Sequence, residues 1–151
     1  MRKVLENPLL SLIARVVVGW LFIYAAVGKI ANPADFAEDI NNYQLLPDFM
    51  LNIVALTMPW IEILCGLFLV VGFRLKANAL IAGGLLLIFN LAVLYAMSLG
   101  LNIDCGCFSE RASMIGWAKF GENMVTLFLA IYVFLYPIKQ LTLEKFALSE
   151  A

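Results

Sequence analysis

Residues 9–28 read LLSLIARVVVGWLFIYAAVG, an apolar run of helix-spanning length broken by a single charge, Arg15. A helix needs roughly 20 mostly apolar residues to cross a bilayer, and inside lipid every backbone polar group has to be paired within the segment. A strand span would alternate with period two, and this run does not. Three more runs of the same kind follow: 51–71, holding Pro59 and Glu62; 77–99; and 114–136, with Lys119 and Glu122 in its first turns. The expected fold is all-α, an integral membrane four-helix bundle forming one domain over residues 1–151.

Composition agrees. Of 151 residues, 64% are hydrophobic and 14% charged, against about 25% charged in an ordinary soluble domain. Net charge is −1, which leaves no basic footprint for nucleic acid. Histidine is absent, which removes His-based triads, His-ligated haem and most zinc sites.

Cations set the orientation. Arg2, Lys3, Arg15, Arg74, Lys76, Lys139 and Lys145 fall on one side of a four-span arrangement, and only Lys29, Arg111 and Lys119 toward the other. Both termini are therefore expected in the cytoplasm of a bacterial inner membrane, with the 29–50 and 100–113 loops facing outward. The first run is too long for a typical signal-peptide core and reads as a retained span. In the first outward loop, Asn32-Pro33-Ala34-Asp35 has the residues of a helix start. Phe36, Ile40 and Tyr43 then recur at helical spacing among acids, which predicts a short amphipathic helix ending before Pro47.

The second outward loop carries Cys105-Gly106-Cys107. Two cysteines at i, i+2 close only a tight, strained ring, and strained, exposed disulfides are the labile or catalytic kind. Three readings stay open: a redox-active pair, a thiolate site for a soft ion such as copper(I) or mercury, and an inert pair. No further metal-ligand set is evident. Cys65, well inside the second run, is expected to pack as a small hydrophobe.

Counting about 1.5 Å per residue from the outer end of each span puts Arg15 about 20 Å deep, Glu62 about 16 Å, Asn90 about 15 Å and Glu122 about 12 Å. These four residues are candidates for one polar layer near the midplane, where ionisable groups are costly. The layer either fixes helix register, for instance through an Arg15–Glu62 pair, or handles protons or a ligand. Trp20, Tyr24, Trp60 and Phe108 are candidates to line a site for a flat quinone ring, or to serve as an interfacial aromatic belt.

Several of these motifs together resemble a known group. Arg15 through Gly19-Trp-Leu-Phe22, Gly28-Lys29-Ile30, Tyr43-Gln-Leu-Leu-Pro47 and Pro59-Trp60-Ile-Glu62 with Gly66 and Gly72 look like the DoxX-like membrane family. The Cys105-Gly-Cys107-Phe108 loop resembles its MauE branch. The resemblance implies a redox-associated four-helix membrane subunit. The MauE branch is tied to methylamine utilisation and to a thioredoxin-like partner in maturing a disulfide-rich dehydrogenase, and DoxX to a thiosulfate:quinone oxidoreductase. It also implies that Cys105 and Cys107 are the branch motif, and that Arg15, Lys29 and Glu62 belong to the general pattern. The expectation is a membrane protein whose outward cysteine pair exchanges electrons with a thioredoxin-fold partner, with quinone as a candidate acceptor. The alternatives are a non-catalytic subunit of a larger oxidoreductase and a soft-metal carrier.

Overall fold

The computed structural model describes residues 7–101 and 117–137, apart from the side chains of residues 118 and 119. The regular structure there is helical throughout: α1 (Pro8–Ala31), α2 (Pro33–Asn42), α3 (Asp48–Val71), α4 (Leu75–Ser98) and α5 (Trp117–Leu135). By length and composition α1, α3 and α4 are long and apolar enough to cross a membrane, and the apolar stretch of α5, Phe120–Leu135, is shorter. The fourth span expected over 114–136 begins at residues outside the described ones.

Each boundary has a local cause. The Asn7 side chain accepts the Leu9 N–H at 3.0 Å, with Pro8 at the first helical position. A proline at that place gives up a hydrogen bond the helix would not have made. The same device separates α1 from α2: Pro33 cannot continue the ladder of α1 but opens α2. Asn32 occupies the cap position of α2 without a side-chain cap bond. The α3–α4 connection is short. Gly72 takes the left-handed conformation (φ 80°), and the N–H groups of Gly72 and Phe73 both donate to Phe68 O at 2.9 Å. Asn78 closes the turn by donating its Nδ2 to Phe73 O at 2.8 Å.

One core joins the four longer helices: Val18 and Phe22 from α1, Leu69 from α3, Ala79, Ala82 and Leu86 from α4, Leu127, Ala130 and Val133 from α5. Cys65 belongs to it, buried, its thiol donating to Asn78 O at 3.0 Å near the α3–α4 turn. Helices α1 and α3 approach closely at two glycines. A Cβ on Gly19 would lie 2.7 Å from Gly66 O, and one on Gly66 2.7 Å from Gly19 O. The two backbones therefore touch where both residues lack a side chain, as small residues allow between membrane helices. The outside of the bundle is covered with large apolar side chains, among them Ile13, Ile53, Leu56, Leu80, Ile88 and Phe128. That coat suits lipid rather than water.

Candidate functional site

The buried face of α1 runs through Ser11, Arg15, Val18, Phe22, Ala25, Ala26 and Lys29, a spacing of three and four that keeps one stripe on the helix. Lys29 is thus turned inward although it lies in the last turn. Glu62 is turned inward on α3, on the same face as Pro59, Cys65, Gly66 and Leu69. The two meet: Lys29 Nζ donates to Glu62 Oε1 at 2.7 Å and to Oε2 at 2.9 Å. Each side chain is only 4% exposed.

The ammonium is enclosed further by rings. It lies 4.9 Å from the centroid of Phe36 on α2 and 4.8 Å from that of Phe89 on α4. A desolvated cation over an aromatic face gains on the order of 2 kcal/mol. Four helices therefore converge on one charge pair: α1 supplies the cation, α3 the anion, and α2 and α4 the aromatic walls. The helix ends explain how this happens. Glu62 lies about 21 Å along α3 from its start, yet it meets the end of α1. Before Glu62 in the chain, Val54 and Met58 of α3 share a cavity lining with α2.

This space holds a cavity of about 270 Å³ between α2, α3 and α4. Phe36 and Phe89 belong to its lining, so the rings against the Lys29 ammonium also face the cavity. Tyr43, Val54, Met58 and Ala92 complete most of the wall, which is almost wholly apolar. Burial, with the Asp39 carboxylate nearby, pushes the Tyr43 phenol above its ordinary value.

The four residues matched by depth divide. Glu62 and Asn90 are both buried. Asn90 donates its Nδ2 to Leu86 O of its own helix at 2.9 Å, and its Oδ1 makes no hydrogen bond with the described residues. Arg15 is buried too, but about 21 Å from Lys29 along α1. It lies beyond Gly19, which packs on Gly66 and Val70, so it is level with the far end of α3. An Arg15–Glu62 pair is not formed, because Lys29 holds that carboxylate. Glu122 is exposed, and Asn123 beside it is buried. Trp20 (65%) and Trp60 (57%) are exposed on the outside of the bundle, as is Tyr24, so they line no interior site. Cys105, Cys107 and Phe108 lie outside the described residues.

Phe36 and Phe89 are site residues that sequence reading missed, and Lys29, named there only in the cation tally and the family pattern, was not placed with Glu62. The signal for Lys29 was present, since it continues the Arg15–Val18–Phe22 stripe. The rings belong to separate elements and carry no such mark.

Apolar helices of spanning length, a lipid-facing coat and a buried ion pair define a multi-pass membrane protein. The chain belongs to the MauE family: the model for "Methylamine utilisation protein MauE" matches residues 7–136. Relatives carrying that name include proteins from Methylophilus methylotrophus, 28% identical over 92% of this chain and 75% of the relative, and Paracoccus denitrificans, 30% identical over 88% and 73%. A third, from Paracoccus versutus, is 32% identical over 87% of this chain and 72% of its own. No solved structure matches the chain.

Proposed function

We propose that this chain is an accessory membrane protein of methylamine utilisation, in a bacterial inner membrane, whose Cys105–Cys107 pair exchanges electrons with a thioredoxin-fold protein. Family membership supports the pathway, and the Cys-Gly-Cys motif is the one observation that carries the chemistry. A partner thiolate attacks one sulfur of the Cys105–Cys107 disulfide, breaking that bond and leaving the other cysteine as a thiolate. The partner's second thiolate then attacks the mixed disulfide and leaves the partner oxidised. Two electrons and two protons now reside on the cysteine pair. A quinone is the acceptor we assign, being reduced to quinol as the pair closes again. Glu62, with Lys29 on it, is the interior group suited to a proton-handling role, with Asn90 a second buried polar side chain; Arg15, toward the far end of α3, and Glu122, exposed, stand apart from it.

The test is the midpoint potential of the pair in the purified full chain, read by alkylation and mass shift in thiol buffers. A reversible couple at roughly −120 to −230 mV is expected of a disulfide-exchange protein. A pair that never oxidises, or stays locked below about −300 mV, rejects the mechanism. Stoichiometric copper(I) capture lost in the Cys105→Ser, Cys107→Ser double variant would favour a soft-metal carrier instead. Full activity of the assembled pathway with that variant would favour a non-catalytic subunit.

A further inference from the structure

We propose that the cavity between α2, α3 and α4 is a lipid site, taking one acyl chain of a phospholipid whose headgroup carries an ammonium group. This does not depend on the redox reading. The wall supplies the first argument: it is almost wholly apolar, so a ligand part bearing carbonyls or hydroxyls would lose its hydrogen bonds to water with almost no polar surface to replace them. Only hydrocarbon enters at no such cost.

Access and size agree. Two walls are α3 and α4, both of spanning length, and the rim residues Ile88 and Leu45 are exposed on the outside of the bundle. A chain can therefore enter sideways from the bilayer. The volume, about 270 Å³, falls just under the roughly 300–1,000 Å³ of ordinary small-molecule sites. It admits part of a lipid and leaves the headgroup outside.

The headgroup is chosen by charge. Residues 30–50 carry four acids, Asp35, Glu38, Asp39 and Asp48, and no lysine or arginine. Asp39 belongs to the cavity lining, and Glu38 is exposed beside it. Such a rim repels phosphatidylglycerol and attracts the ammonium of phosphatidylethanolamine, over the few ångströms that screening allows.

Native mass spectrometry of the full chain, extracted from a membrane containing both lipids, tests this. One phosphatidylethanolamine per chain is expected to survive detergent exchange in the wild type and in Leu91→Phe, a change on the exposed outer face. It should be lost from Ala92→Phe and from Met58→Trp, which fill the cavity. A double variant Glu38→Gln, Asp39→Asn leaves the cavity open. It should keep one lipid but lose a preference for phosphatidylethanolamine over phosphatidylglycerol of about tenfold, the scale of one or two charges at a membrane surface. The proposal is overturned if the wild type retains no lipid or retains a quinone instead, or if phosphatidylglycerol is held equally well. Unchanged occupancy in both filling variants overturns it as well.

Discussion

Removing one partner of the Lys29–Glu62 pair leaves an uncompensated charge in the interior, and such losses cost about 3–5 kcal/mol. Lys29→Met alone and Glu62→Gln alone are therefore each expected to lower the unfolding midpoint in detergent steeply. The Lys29→Met, Glu62→Met double variant should recover most of that loss, because apolar side chains of similar size need no partner. A double variant no more stable than the singles would mean that the pair does more than neutralise itself. A second expectation concerns the rings. Phe89→Leu keeps the volume nearly filled but removes a face from the ammonium, and should destabilise by about 1–2 kcal/mol, read in the same melts. Sequence alone made Glu62 legible, since a lone acid in an apolar run calls for a partner. It did not make the partner legible. Lys29 stands at the end of its run, where position along the chain suggests a loop charge, and only its place on the buried stripe argues otherwise.

At the level of helices, α1 and α3 are locked by the contact of Gly19 with Gly66. Gly66→Ala would set a methyl 2.7 Å from the Gly19 carbonyl, and overpacking of this kind costs roughly 1–3 kcal/mol. Gly84→Ala on α4 meets nothing within 4 Å. It should be neutral or slightly stabilising, since alanine is the better helix former. Opposite signs for the same chemical change, in parallel thermal melts, are the expected result. The apolar runs made α1, α3 and α4 readable, because lipid imposes both a length and a composition on such segments. The start of α2 was readable from Asn32-Pro33. How α2 stands beside the first half of α3 was not, because that depends on where α1 stops relative to α3, which no local signal encodes. Depth matching failed for Glu122 for a related reason: depth fixes level but not the face of the helix, and its neighbour Asn123 is the residue turned inward.

For the molecule as a whole, membership of the MauE family was legible in the order and spacing of short motifs, whereas the family match does not show the wider DoxX-like label. The function was far less legible, because a cysteine pair names a chemistry but not the molecule it meets. Burial removes Lys29 from the outward count and Arg15 from the other, leaving six cations against two, so the excess of four is unchanged. In a background with Cys105 and Cys107 replaced by serine, a cysteine placed at Gln44 should react with an impermeant maleimide from outside intact spheroplasts, and one placed at Arg74 should not. The reverse pattern would invert the proposed topology. The pairing of Lys29 with Glu62 bears finally on how the protein is made. Lys29 leaves the ribosome more than thirty residues before Glu62 does, so it enters the membrane without the carboxylate that holds it in the folded chain. Until α3 arrives, the ammonium has to stay at the water boundary, as end-of-helix lysines do. The final seating of Lys29, and with it the end of α1, therefore waits on the insertion of α3.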